Sequence, residues 1–307
     1  MAGAPAEVRA RALPPLESNG VALDMAPGRL GWLRPSERDL GIDALRERFR
    51  QDGYVWLRGL LDPAEVRAFR GKVLEALAGT GLLAGGTDPA EGILGPGPVD
   101  GRALGARLAE IVRWAAYEAF CMAAPVVRFY EDFFGAPPFL HKRKLLRIGR
   151  PGDVHCTGAH YDLVYLRGGT DRLCTSWIPI GDASVEMGGL CYLEGSDAFG
   201  RELEARYARE AAHLTPALRL QAVNSVMTSG WLGKDLRTLA EQMGGRWLVA
   251  DYRAGDMVVH SPFMIHASTR NVDPDRRIRL STDIRYQSVR DEIDPRWQNH
   301  WAPDDGL

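Results

Sequence analysis

The sequence has no apolar run long enough to cross a bilayer, no paired cysteines and no surplus of positive charge. Each absence removes a class of protein. A membrane-spanning helix needs about 20 consecutive apolar residues. The N-terminal stretch, where Glu7, Arg9 and Arg11 interrupt a series of alanines and prolines, lacks the apolar core of a signal peptide. The expected location is the cytoplasm, away from any membrane. The four cysteines, Cys121, Cys156, Cys174 and Cys191, include no CxxC pair. Neither a zinc ribbon nor a disulfide framework is expected, and the thiols read as reduced and mostly buried. A formal charge of −2 over 307 residues supplies no basic stripe to track phosphates. Nucleic acid is therefore not an expected partner, a small molecule is, and the oligomeric state is left open.

What is present is ordinary globular material, 45% hydrophobic and 25% charged. Residues 1–37 are rich in Ala, Pro and Gly without sustained periodicity and read as an irregular arm. Residues 38–307 read as one domain, because no repeat, low-complexity tract or linker divides them. Within it, GYVWLRGLL from Gly53 has the aromatic and β-branched content of a strand. Asp62, Pro63 and Glu65 then supply an N-cap, a first-turn proline and a capping-box acid, and Val66, Phe69, Val73 and Leu77 follow at helical spacing. Residues 79–102 read as a long surface loop, and Leu108, Ile111, Val112 and Ala115 mark a second helix. After Pro137-Pro138 the pattern turns to short β-type segments running to about Gln287, broken by a helical insertion at about 200–243. Helices first and strands later predict an α+β, mainly β, architecture.

The chemistry concentrates in a few segments. In GAHYDLVY, His160 and Asp162 are one residue apart, so an extended backbone would send both side chains to one face and Tyr161 to the other. A second β-type segment, GDMVVHSPFMIHAS, ends in His266. Two imidazoles and one carboxylate on one side of an ion leave three positions open, which suits iron(II) acting with O2 and a bidentate co-substrate. His260, six residues earlier, is a rival for the distal ligand, and His155 reads as a loop residue. The following segment, RRIRLSTDIRYQ, offers arginines for a bidentate grip on the distal carboxylate of 2-oxoglutarate. Arg277, Arg279 and Ser281 share one face; Arg279 with Ser281 forms an Arg-x-Ser pair, and Arg277 remains an alternative because the loop 272–275 could shift the register.

In this order, the HxD pair, the segment LCTSWIPIGDASVEMGGLCYLEGSD, the distal His266, then Asn271 and an Arg-rich strand, the chain resembles the phytanoyl-CoA dioxygenase family over roughly residues 50–290. Trp177, Pro179, Asp182, Gly188, Gly189, Gly195 and Ser196 carry the middle part of that likeness. The resemblance implies a double-stranded β-helix, the jelly-roll or cupin-like barrel, flanked by helices, with iron(II) at its open end. It also implies 2-oxoglutarate and O2 as co-substrates, release of succinate and CO2, and hydroxylation of a C–H bond as the default outcome. Cyclisation, epimerisation and desaturation remain open. A related halogenase would replace the carboxylate ligand with a small residue, and Asp162 is retained. The implied role of Ser268 is a hydrogen bond to 2-oxoglutarate.

Trp177 reads equally as core or as a wall of the co-substrate site. Lys144, in HKRKLLR, is a candidate for holding an anionic co-substrate, against the plainer reading of a solvated strand edge. Arg285 is a candidate to face substrate or to pair with Asp283, and Tyr165 and Trp231 are further substrate-site candidates. The Ala-, Arg- and Gly-rich composition is what a GC-rich genome produces, and the resemblance to family members of such bacteria implies a secondary-metabolite intermediate as substrate. Two other classes stay in view: a metal-dependent cupin-like isomerase or lyase, and a non-catalytic jelly-roll protein that binds a metabolite.

Overall fold

A computed structural model describes residues 12–37, 39–210, 212–213 and 231–303. The chain enters through a short hairpin, β1 (Glu17–Ser18) and β2 (Val21–Ala22), and β3 (Leu30–Trp32). Helix α1 (Ile42–Asp52) ends on Gly53 in the left-handed conformation, φ 76°, which turns the chain directly into the fully buried strand β4 (Tyr54–Leu57). Helix α2 (Pro63–Ala76) starts where the sequence expects it. The Asp62 carboxylate accepts from the Ala64 amide, and Val66, Phe69 and Val73 form its buried face. Burying side chains of this size stabilises by about 1.5–3 kcal/mol each. The 79–102 loop is pinned rather than loose, through bridges from Leu83 to Leu94 and from Ile93 to Arg277. Three helices follow, α3 (Gly101–Ile111), α4 (Ala115–Cys121) and α5 (Ala124–Phe134).

The β half comprises β5 (Pro138–Leu140), β6 (Leu145–Gly149), β7 (Leu173–Pro179), β8 (Leu190–Leu193), β9 (Trp247–Val249), β10 (Met257–His260), β11 (His266–Ser268) and β12 (Arg279–Ser288). Helices α6 (Leu163–Leu166), α7 (Ser196–Glu210) and α8 (Leu236–Met243) interrupt it. Of the expected 200–243 insertion, residues 211 and 214–230 lie outside the described residues.

Two sheets form. In the six-stranded one the order is β4-β10-β7-β12-β5, and the long β12 also pairs with β6. The four-stranded one runs β11-β8-β9-β3. All pairs are antiparallel except β3 with β9, so part of the stretch read as an irregular arm is an edge strand, held by the backbone of Trp247 to Val249. The sheets face each other: Tyr54 stacks on Tyr192 at 5.5 Å, and the Trp177 ring lies 4.6 Å from Tyr252. The opposite face of the large sheet lies under the helices, where Val55, Ile178, Val259 and Ile284 pack with Val66, Phe69, Tyr117 and Tyr130. Because side chains alternate along a strand, Leu280, Ile284 and Tyr286 of β12 face the helices while Arg279, Ser281, Asp283 and Arg285 face the interior between the sheets. This is the jelly-roll arrangement of a double-stranded β-helix flanked by helices, in which the described strands do not close into a barrel.

Candidate metal and co-substrate site

His160 and His266 meet through their backbones. Each amide donates to the other's carbonyl, at 3.0 and 2.9 Å, and the imidazole centroids lie 4.3 Å apart. The expectation that Asp162 shares an extended strand with His160 is not met. At Asp162 the backbone turns helical, φ −67° and ψ −29°, and starts α6. That turn carries the carboxylate back toward the imidazoles: Asp162 Oδ1 is 3.7 Å from His160 Nε2 and 3.8 Å from His266 Nε2. Tyr161 does point away, with its hydroxyl on Glu204 at 2.6 Å.

Each imidazole is locked in the tautomer a metal needs. Nδ1 of His160 donates to the Gly158 carbonyl and Nδ1 of His266 to the Met264 carbonyl, both at 2.9 Å. The Nε2 lone pairs are thereby left facing Asp162. Burial, and for His266 also the neighbouring His160 and His260, hold both rings below the ordinary value of 6.5, His266 well below it. They are neutral at physiological pH. Burial would raise the Asp162 carboxyl, but Arg285, the hydrogen bond from His260 and the proximity of His266 outweigh it and keep the acid well below 3.8. The three ligand atoms lie within 4.8 Å of one another, all on buried residues. This donor set, two neutral nitrogens and one carboxylate oxygen, fits iron(II) with positions left open.

Asp162 is held from behind. Its Oδ2 accepts from the Thr175 hydroxyl and from His260 Nε2 at 3.3 Å, and His260 Nδ1 in turn accepts from the Tyr192 hydroxyl at 2.9 Å. His260, the rival ligand in the sequence, is thus a neighbour of the carboxylate. Arg285 Nη2 donates to Oδ1 at 2.9 Å, so Arg285 pairs with Asp162 and not with Asp283. Asp283 pairs with Arg147 at 2.7 Å. Thr175 and Tyr192 carry no sequence signal, because only the cross-sheet pairing brings them here.

A small cavity joins this group to Arg279. His160, His266, Trp177, Leu190, Ser268 and Arg279 are among its walls. Arg279 is 8% exposed, its Nη1 donates to Ser281 at 2.6 Å and its Nε has no hydrogen-bond partner among the described residues. Burial lowers its pKa to about 10, which leaves it charged at neutral pH. Ser268 accepts from the Thr157 amide at 2.9 Å.

Arg277 is not in this cavity. Its side chain is half exposed and held by Asp273 at 2.6 Å and Asp275 at 3.3 Å, while Asn271 Nδ2 binds the carbonyls of Gly149 and Arg277, both at 2.9 Å. The tied turn ends before β12 begins. Lys144 is also elsewhere: buried, it donates to the Lys142 carbonyl at 3.1 Å and lies over the Tyr117 ring on the helix side. The Tyr165 ring sits edge-on to His160 at 5.8 Å, with burial raising its phenol to about 12. Trp231 packs on Gly158, the residue whose carbonyl fixes His160; a β-carbon there would lie 2.7 Å from its indole.

The family model for phytanoyl-CoA dioxygenase (PhyH) matches residues 49–278. The chain belongs to this family. The 1-deoxypentalenic acid 11-beta-hydroxylase of Streptomyces exfoliatus is 26% identical over 253 residues, covering 80% of this chain and 81% of that protein. The corresponding hydroxylase of Streptomyces arenae is 27% identical over 254 residues, with the same coverage. The non-heme alpha ketoglutarate dependent carbocyclase SnoK from nogalamycin biosynthesis superposes with a TM-score of 0.55 at 20% identity, over 89% of this chain and 92% of its own. EctD from S. alaskensis with bound Fe gives 0.55 at 12% identity, over 94% and 98%. These two structures bear on the fold. As a phytanoyl-CoA dioxygenase family enzyme, the protein is an iron and 2-oxoglutarate dependent oxygenase, which sets aside the isomerase, lyase and non-catalytic readings. Among the described residues no helix is long and apolar enough to cross a membrane.

Proposed function

We propose that the protein hydroxylates a C–H bond of a small organic substrate, an intermediate of secondary metabolism, with release of succinate and CO2. One observation carries this reading: His160, His266 and Arg279 bound a single cavity, so a metal held at one end and a dicarboxylate held at the other can meet. His160, Asp162 and His266 are the proposed iron ligands. Arg279, with Ser281 beside it, is the proposed anchor for the distal carboxylate, and Ser268 and Trp177 are the proposed walls. Iron(II) and 2-oxoglutarate, when bound, supply with O2 the oxidising power to break a C–H bond; one oxygen atom goes to the product alcohol and one to succinate.

The chain's own residues do the preparatory work. The Gly158 and Met264 carbonyls fix the imidazoles, while Thr175, His260 and Arg285 fix the carboxylate. Trp177 and Leu190 line the cavity between the imidazoles and Arg279 with apolar surface. Hydroxylation is favoured because the two relatives named above are hydroxylases, and the retention of Asp162 speaks against halogenation. Residues 38–307 are proposed to act as one catalytic domain in the cytoplasm.

The test is anaerobic titration of the metal-free protein with iron(II) and 2-oxoglutarate, followed in the visible charge-transfer band that chelation of iron by a 2-oxo acid produces. Aerobic succinate formation is then measured against a panel of terpenoid acids and polyketides. Absence of the band at saturation would sink the proposal. A band without substrate-stimulated succinate from any panel member would remove the substrate class.

A further inference from the structure

Arg279 belongs to two cavities. One is the small cavity, of about 30 Å3, that it shares with His160 and His266; the other, of about 430 Å3, adjoins it. Thr157, Ser268 and Arg147 are walls of both. The larger cavity has an apolar flank, Leu104 and Leu108 of α3 with Leu146 and Ile148 of β6, and a polar flank that includes Arg150 and His155.

Its charges are unequal. Arg150 pairs with Asp153 at 2.5 Å and Arg147 with Asp283 at 2.7 Å, but Arg279 has no carboxylate partner among the described residues and its Nε is unsatisfied. The cavity thus ends on a buried guanidinium that no carboxylate pairs directly among the described residues. A dianion entering it gains attraction with every step toward Arg279, and neutral or cationic solutes do not.

We propose that this larger cavity is the vestibule through which the 2-oxo acid co-substrate enters and succinate leaves. The proposal rests on the reading of Arg279 as the co-substrate anchor. The 2-oxo acid end passes Arg279 first and continues into the small cavity; the trailing carboxylate is captured at the threshold by Arg279 and Ser281. The apolar flank makes few polar contacts that would trap the diacid on the way, and Gly101 and Gly149 on the same walls present no side chain. Co-substrate exchange on this route runs between α3 and β6, along walls that do not include His160, Asp162 or His266.

The experiment is anaerobic stopped-flow mixing of iron-loaded protein with 2-oxoglutarate, read in the charge-transfer band, for wild type, Leu104→Trp, Leu108→Trp and Leu104→Ala. The tryptophans fill a passage without altering its end points, so association and dissociation rates fall together by about fivefold or more while the equilibrium Kd stays within about twofold. Leu104→Ala is not slowed. In wild type the association rate falls with added salt and the dissociation rate does not. Unchanged rates in whichever tryptophan variant retains wild-type melting and iron binding overturn the vestibule. A Kd that rises with no change in association rate also overturns it, because that marks a disturbed anchor. No band in wild type defeats the anchor assignment itself, and the vestibule with it.

Discussion

Gly149 lies directly across from Arg279 in the pairing of β6 with β12, and a β-carbon at Gly149 would stand 2.9 Å from the guanidinium Nε and Nη2. The glycine does not serve backbone freedom here, since its φ is not in the left-handed region. It serves space. Gly149→Ala is therefore expected to fold and bind iron normally while displacing Arg279, raising the Kd for 2-oxoglutarate by about tenfold, the loss of one charge-assisted hydrogen bond. Anaerobic titration checks this, and an unchanged Kd refutes it.

The two arginines of the Arg-rich segment are expected to separate cleanly. Arg279→Ala removes the cation at the end of the cavity and weakens 2-oxoglutarate by about 1.5–3 kcal/mol, tenfold or more. Arg277→Ala breaks a half-exposed pair with Asp273 and leaves the co-substrate Kd within about twofold. The reverse ranking in the same titration would move the anchor to Arg277.

Thr175→Val keeps the shape of the side chain and deletes the hydroxyl that holds Asp162 Oδ2. His260→Ala deletes the second donor to that oxygen. Loss of such supports lowers metal affinity by about 10–100-fold. Competition with a coloured iron chelator measures it. Iron affinity equal to wild type in both variants would show that the carboxylate needs neither.

Stability of the metal-free protein should depend on pH with a definite sign. His160 and His266 have folded values below the unfolded 6.5, so the unfolded chain takes up protons first as pH falls. Their contribution is present above 6.5 and is lost below it. The depressed Asp162 contributes in a lower window, present above 3.8 and lost as pH falls through its folded value. Melting temperature is thus expected to fall between about pH 7.5 and about pH 5.5, with a shallower slope in His266→Gln. Equal slopes would remove His266 from the account.

By itself the sequence determined the candidate ligand residue types and their order, the strand from Gly53 and the helix capped by Asp62. These are local properties: spacing, capping chemistry and composition act within a few residues. The tertiary structure decided what depends on which backbones lie side by side. It brought Asp162 to the imidazoles through a helical turn instead of a strand, and it placed Arg279 on the cavity shared with His160 and His266 and Arg277 away from it, because Asn271 and Asp273 tie the intervening turn outside the sheet. It also placed Thr175, His260 and Arg285, which lie 13, 98 and 123 residues from Asp162, on one carboxylate. A period-two pattern states which face a residue is on and not which strand it meets. Register across strands, set by loop length and by packing between the two sheets, supplied the rest.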